Sequence, residues 1–101
     1  MFIKFKSGSK IEKKEFKLSK SNFTKADLSR SVFSFCDLSE TNFDHANLLE
    51  VSLEKCNLKM ANLTGANISG ANFTDCKIEQ TKLDFEGFVQ FGTSKGFVLS
   101  D

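Results

Sequence analysis

Three cysteines, Cys36, Cys56 and Cys76, stand twenty residues apart and are the chain's first claim to reactive or metal-binding chemistry. A cluster of thiolates can hold zinc, and two close thiols can join as a disulfide. Zinc ligands, however, come in close pairs of the C-x-x-C kind, and nothing of that spacing is present. The lone histidine, His45, is out of step with the cysteine series. Thr41, Asp44 and His45 have the residue types of a hydrolytic trio, but residues so close along the chain diverge rather than converge, and His45 is expected at a solvated position. Paired carboxylates in an apolar setting, a Gly-rich phosphate loop and a nucleophile motif are all missing from the sequence. The expectation is a protein that is not an enzyme and uses no metal and no cofactor.

The elements that must position these residues follow an unusual period. Every fifth residue from Leu18 to Leu83 is Leu, Ile or Phe: Leu18, Phe23, Leu28, Phe33, Leu38, Phe43, Leu48, Leu53, Leu58, Leu63, Ile68, Phe73, Ile78 and Leu83. With 40% hydrophobic residues, chance would produce such a run with a probability of roughly 3 × 10⁻⁶ in a given phase. A period of five is neither the 3.6 of a helix nor the 2.0 of a strand, so it demands a repeat architecture. Two residues before each centre, from residue 21 on, stands a small or compact side chain, such as Ala26, Cys36, Thr41, Ala61 or Ala66. One residue before the centre is Asn or Asp at nine of the thirteen positions from 22 to 82, the exceptions being Val32, Ser52, Lys77 and Lys82.

The unit, cleanest in Ala61-Asn62-Leu63-Thr64-Gly65 and Ala66-Asn67-Ile68-Ser69-Gly70, resembles that of the pentapeptide repeat family, A-(D/N)-L-x-x. The resemblance covers about two-thirds of the chain. It implies an all-β fold, a right-handed quadrilateral β-helix with one pentapeptide per side and four per coil. In that fold the centre and the small residue point inward and the other three positions face solvent. Stacked coils would satisfy one another's backbone at about 4.8 Å. Gly65 and Gly70 fall at the second turn position, where a type II turn needs positive φ.

Four repeats per coil place Cys36, Cys56 and Cys76 in one inward column, headed by Phe16, which is expected to plug the first coil. Parallel side chains aim poorly for a disulfide, so the cysteines read as buried free thiols acting as small hydrophobes. Free thiols without a signal sequence suggest a cytoplasmic protein, and Met1-Phe2-Ile3-Lys4-Phe5 is too short to span a membrane.

One domain is expected, with a basic N-terminal flank over residues 1–15, the coil over 16–85 and a C-terminal cap over 86–101. Residues 16–85 would make about three and a half coils, a rod only ~17 Å long. The cap reads as a strand-turn-strand, with Phe88-Val89-Gln90-Phe91 and Gly96-Phe97-Val98-Leu99 flanking Gly92-Thr93-Ser94-Lys95. Phe85, Phe88 and Phe91 are expected on the last coil. Phe97, Val98 and Leu99, with Val89, exceed what one cap needs and suggest a homodimer contact.

Charge narrows the function. Residues 1–20 carry seven lysines against two glutamates, whereas residues 21–101 carry seven basic and eleven acidic residues. Corner positions stack opposite signs: Lys20 under Glu40, Arg30 under Glu50 and Lys55 under Asp75. Some members of the resembled family are longer, acidic dimeric rods that resemble duplex DNA in shape and charge and bind type II topoisomerases. A short rod of mixed sign argues against that role, and nucleic acid is not an expected partner. A protein-interaction or scaffolding module remains, with Val32, Phe35, Leu49 and Met60 as candidate contact residues among the outward positions.

Overall fold

The protein, seen in a computed structural model, is described over residues 4–6 and 16–100. Its strands are stubs of two or three residues: β1 (Lys4–Lys6), β2 (Phe16–Lys17), β3 (Val32–Ser34), β4 (Cys36–Asp37) and β5 (Ser52–Glu54). A helix, α1 (Phe85–Ser94), follows the last of them. Each strand pairs in parallel with the segment one coil away. Phe33 lies opposite Leu53, Phe16 opposite Cys36, and single bridges join Asn22 to Asn42, Asn42 to Asn62 and Asn47 to Asn67. From Phe16 on the register is twenty residues, so one coil consumes four pentapeptides.

Every five residues the chain turns. The second residue of each turn has positive φ, from Lys20 at 62° and Lys25 at 59° to Asp75 at 56° and Gln80 at 54°, with Gly65 and Gly70 at 72° and 69°. Eleven of these corner residues are not glycine, at about 1–2 kcal/mol of steric cost each. Stacking holds them there. The corner amide donates to the carbonyl nineteen residues on, as in Lys25 N to Asp44 O (2.9 Å) and His45 N to Thr64 O (2.9 Å).

The Asn or Asp before the centre explains itself at this level. Its side-chain oxygen accepts from the amide two residues later, for example Asp44 N to Asn42 Oδ1 (2.9 Å) and Thr64 N to Asn62 Oδ1 (3.0 Å). The same bond recurs at Asn22, Asp27, Asp37, Asn47, Asn57, Asn67 and Asn72. It is a local side-chain turn that occupies a donor no coil neighbour takes. Where Val32 or Ser52 replaces the Asn, the chain instead runs on as the three-residue strands β3 and β5. One coil later Asn72 restores the tight turn, closed by Cys76 N to Phe73 O at 3.2 Å.

The core is the column of centres and small residues. Phe33, Phe43, Leu38, Leu48, Leu53 and Leu58 are fully enclosed, and Ala46, Val51 and Ala61 fill the tighter slots. Phe23 stacks on Phe43 with ring centroids 5.4 Å apart. Each enclosed Leu or Phe contributes roughly 1.5–3 kcal/mol. Burial fades toward the last coil, where Phe73, Cys76 and Leu83 are only half-buried and Ile78 is exposed.

The ends differ from the sequence expectation. In place of a hairpin over 88–99, residues 85–94 form α1. Asp84 is its N-cap, accepting from Gly87 N at 2.8 Å, and Glu86 sits in the first turn beside the positive end of the helix dipole. The helix stops in a Schellman turn. Gly96 at φ 95° donates to Thr93 O (3.0 Å), and Phe97 N donates to Gly92 O (2.9 Å). At the other end, β1 pairs with β3 (Lys4 with Val32, Phe5 with Phe33), so Lys4–Lys6 of the basic N-terminal segment adds a strand to the stack. The remainder of residues 1–15 lies outside the described residues, as does the side chain of Phe16, the expected plug.

Candidate interaction surface

The helix is fixed to the coil by two polar side chains that take the place of a missing next coil. Lower in the stack, the amide of each centre donates to the carbonyl nineteen residues on, as Phe43 N does to Asn62 O at 2.8 Å. By that offset Gly65 and Ile68 would bond the carbonyls of residues 84 and 87. Instead Gly65 N donates to the Asp84 carboxylate (3.1 Å), and Ile68 N donates to Gln90 Oε1 (2.7 Å). Buried Gly87 lets the helix lie close, since a Cβ there would meet Asp84 Oδ1 at 3.0 Å and Leu83 Cδ2 at 3.1 Å. Phe91 packs its ring 5.7 Å from that of Phe73. Of the three phenylalanines expected on the last coil, only Phe91 lies half-buried against the core; Phe85 and Phe88 are exposed.

What the helix turns outward is also apolar. Phe85, Phe88, Val89 and Gly92 follow the i, i+3, i+4, i+7 spacing of a single helical stripe. The Schellman turn sends Phe97, Val98 and Leu99 back beside this stripe, and together they enclose a groove of about 230 Å³. On the inner side an apolar cleft of about 180 Å³ opens between the helix and the last coil. Leu58, Phe73, Ile78, Leu83, Phe88 and Phe91 line it, and the hydroxyl of its one polar residue, Thr81, is engaged with Leu58 O at 2.6 Å. Phe88 borders both hollows. Six of the seven residues singled out at this end of the sequence therefore share one surface while Phe91 faces the coil, and they stand on a helix and a reversed tail rather than on two strands.

The lateral candidates do not gather. Val32 and Leu49 are half-buried, while Phe35 and Met60 are exposed at different corners. Lys55 Nζ lies 5.3 Å above the Phe35 ring and covers part of it. Of the expected corner pairs, Arg30–Glu50 forms at 3.3 Å, and Lys59–Glu79 adds another at 3.9 Å. His45 is an exposed corner with Nδ1 3.1 Å from Asp44 Oδ2, and its ring lies where a Cβ on Gly65 would stand.

The cysteines share one column as free thiols, with Cys36 and Cys56 buried and Cys76, contrary to expectation, only half-buried in the incomplete last coil. Each acts as a donor. Cys56 Sγ bonds Phe33 O at 3.1 Å and Cys76 Sγ bonds Leu53 O, the same step back that Thr41 makes to Leu18 O (3.2 Å). The hydrogen bond with the Cys36 thiol, added to by burial, pushes the Cys56 thiol up to about 12. Cys76 is pushed up as well, by its hydrogen bond with the Cys56 thiol and by burial. Thiols so raised are poor nucleophiles and poor metal ligands at neutral pH. Among the described residues no group of three or more His, Cys, Asp or Glu side chains could hold a metal ion.

A short parallel coil with a twenty-residue register and a five-residue inward period defines the molecule as a β-solenoid. The profile of the pentapeptide repeat region matches residues 14–83, and the chain belongs to the pentapeptide repeat family. A pentapeptide repeat protein from Nostoc is similar in structure, with a TM-score of 0.54 and 24% identity over 72% of this chain and 64% of that one. A pentapeptide repeat protein of the Arabidopsis thaliana thylakoid lumen aligns with 24% identity over 80% of this chain and 51% of its own, at a TM-score of 0.34. QnrB1, a plasmid-mediated fluoroquinolone resistance protein, aligns with 20% identity over 84% of this chain and 45% of its own, at a TM-score of 0.36. The chain thus spans about half to two-thirds of the length of these structures. No curated protein matches it.

Proposed function

We propose that the protein is a non-enzymatic scaffold and protein-interaction module, built on a right-handed, four-sided coil of about three and a half turns. The twenty-residue register and the corner every fifth residue support that geometry. One observation carries the functional reading. Among the described residues the exposed large apolar side chains concentrate at the C-terminal end, as Ile78, Phe85, Phe88, Phe97, Val98 and Leu99, with only Phe35 and Met60 elsewhere. Contiguous apolar surface of that kind marks a protein contact. The mixed-sign ladders along the sides, such as Arg30–Glu50 and Lys59–Glu79, favour this reading over a DNA-mimicking regulator of a topoisomerase. They also offer no basic stripe to nucleic acid. Free thiols in the coil fit a reducing compartment such as the cytoplasm. Among the described residues no helix is long and apolar enough to cross a membrane.

Affinity capture from source-cell extract, followed by mass spectrometry, tests the reading. The comparison is between the unmodified chain, a Val98→Asp variant and a Phe35→Asp variant. A partner that is lost with Val98→Asp and kept with Phe35→Asp supports an interaction end. The reverse pattern moves the contact to the coil's side.

A further inference from the structure

We infer that the half of the last coil not covered by α1 takes up an extended segment of a partner protein. The segment adds in parallel as one more side of the stack and sets an apolar side chain into the cleft beside the helix. This partner class rests on reading the C-terminal end as an interaction surface.

Along residues 51–60 the coil is fully paired with the one above. The amides of Leu53, Lys55, Leu58 and Met60 donate upward at 2.7–2.9 Å, and Val51 O and Cys56 O accept from Asn72 N and Lys77 N at 2.8 and 2.9 Å. One coil up, the matching groups are the amides of Phe73, Asp75, Ile78 and Gln80 and the carbonyls of Ala71 and Cys76. None of these has a hydrogen-bond partner among the described residues. Under α1, by contrast, Gly65 N and Ile68 N are taken by Asp84 and Gln90. A row of unpaired amides and carbonyls is a strand edge, the feature to which extended peptides add.

The chain's own continuation does not fill the row. At the twenty-residue register Glu86 and Phe91 would fall in the small inward slots, where neither a charge nor a ring fits, and the chain leaves the coil as a helix. Gly96, Phe97 and Val98 would lie over Cys76, Lys77 and Ile78. The Schellman turn instead holds Phe97 N on Gly92 O at 2.9 Å and leaves Val98 90% exposed.

Edge and cleft together specify the occupant. Phe91 already packs its ring 5.7 Å from that of Phe73. Ile78, a second wall of the cleft of about 180 Å³, is 57% exposed, whereas Leu58 one coil below it is fully enclosed. Apolar cavities of about 150 Å³ accept a benzene ring, so one Leu or Phe side chain over Ile78 is the anchor. Two residues earlier the segment passes over the Cys76 thiol, in the column where Cys36 and Cys56 hold the small slot, and its side chain there must be small. Between the two positions stands Lys77, exposed and replacing the Asn57 of the coil below. A neighbour in register with a lysine is best acidic. The segment therefore reads small, acidic, apolar. The same edge of a second copy would set Lys77 against Lys77, and a lysine on an open edge works against such self-pairing.

Binding of the labelled peptide Thr-Gly-Ala-Asp-Leu-Ser-Gly to the full chain tests this, read by fluorescence anisotropy and by amide exchange. Saturable binding is expected, with exchange slowed at Ile78 and Gln80 and unchanged at Leu48. Ile78→Asp should weaken it at least about tenfold, and Phe35→Asp should leave it unchanged. By the pattern of Lys77 N on Cys56 O, the peptide's Asp amide donates to Cys76 O, while its Leu amide points away from the coil. N-methylation of the Asp should therefore abolish binding and N-methylation of the Leu should not, a contrast that holds even if Ile78→Asp does not fold. No binding, or equal loss from the two methylations, overturns the inference. Slowed exchange at Ile78 and Gln80 that grows with protein concentration in the absence of peptide would assign the edge to a second copy and equally overturn it. Capture of a partner lost with Val98→Asp, without peptide binding, leaves the interaction reading standing and removes only the edge. Peptide binding with no captured partner does the opposite.

Discussion

Gln90 Oε1 accepts the amide of Ile68 at 2.7 Å, in the place where a further coil would offer a backbone carbonyl. A side chain of α1 thereby ends the stack by imitating the coil that is not there. Asp84 does the same for Gly65 with one carboxylate oxygen while its other oxygen caps the helix. Open strand edges invite further pairing, and under α1 the end is closed by hydrogen bonding as well as by covering.

Removing the imitation exposes the edge. Gln90→Ala is expected to cost about 1–2 kcal/mol, the usual consequence of leaving a partly buried donor without a partner. Amide exchange should speed up at Ile68 and stay unchanged at Leu48, whose amide bonds Asn67 O at 2.8 Å. Equal exchange changes at both amides would mean that the helix only shields the coil.

The inward and outward positions should differ sharply in tolerance. Leu58 is fully enclosed, so Leu58→Asp combines a lost apolar side chain with an unpaired buried charge, a cost above about 4 kcal/mol. Thr64 faces outward at the next repeat, and Thr64→Asp should change stability by less than about 0.5 kcal/mol. Urea denaturation of both variants measures the contrast, and similar midpoints would refute the assignment of the two positions.

The thiol column should make stability fall at alkaline pH. In the unfolded chain Cys56 ionises near 9.0, whereas the folded chain holds its proton to about 12. Between those values the unfolded state binds fewer protons, so rising pH favours unfolding, and below pH 9 this contribution is flat. The denaturation midpoint should drop more from pH 8 to pH 10.5 in the unmodified chain than in Cys56→Ala. Thiol titration of the native protein should label Cys76 first and reach three thiols only on unfolding.

Gyrase supercoiling should be unaffected by micromolar protein, and quinolone inhibition should not be relieved. Cross-coil pairs such as Arg30–Glu50 break any continuous acidic stripe. A micromolar effect would restore the topoisomerase reading.

The coil is legible in the sequence because each inward side chain recurs at a fixed step, and stacking enforces that step at every level. Leu38 over Leu18 and Cys56 over Cys36 show directly as spacing along the chain. The Asn series is legible as a pattern but not as a mechanism, since the bond from Asp44 N to Asn42 Oδ1 is a matter of local backbone shape. The C-terminal segment reads as a hairpin because Phe88-Val89-Gln90-Phe91 and Phe97-Val98-Leu99 are rich in strand-favouring residues around Gly92, Thr93 and Ser94. The competing helical signal lies in Asp84 as a cap, Glu86 in the first turn and the 85, 88, 89, 92 spacing. The contact that settles the matter, Gln90 on Ile68, links residues twenty-two apart and leaves no trace in local propensity.

The pairing of Lys4–Lys6 with Val32–Ser34, followed by Phe16 with Cys36, has a consequence for how such chains change length. One coil up, a single residue, Phe35, bridges the step from Ser34 to Cys36. Below it the same step, from Lys6 to Phe16, spans nine residues of sequence, and the ladder resumes in register. A corner is therefore a seam at which chain can be let out without disturbing the weave. Peptides spliced at the Lys55 or Asp75 corner should be carried on the outside of an otherwise unaltered stack.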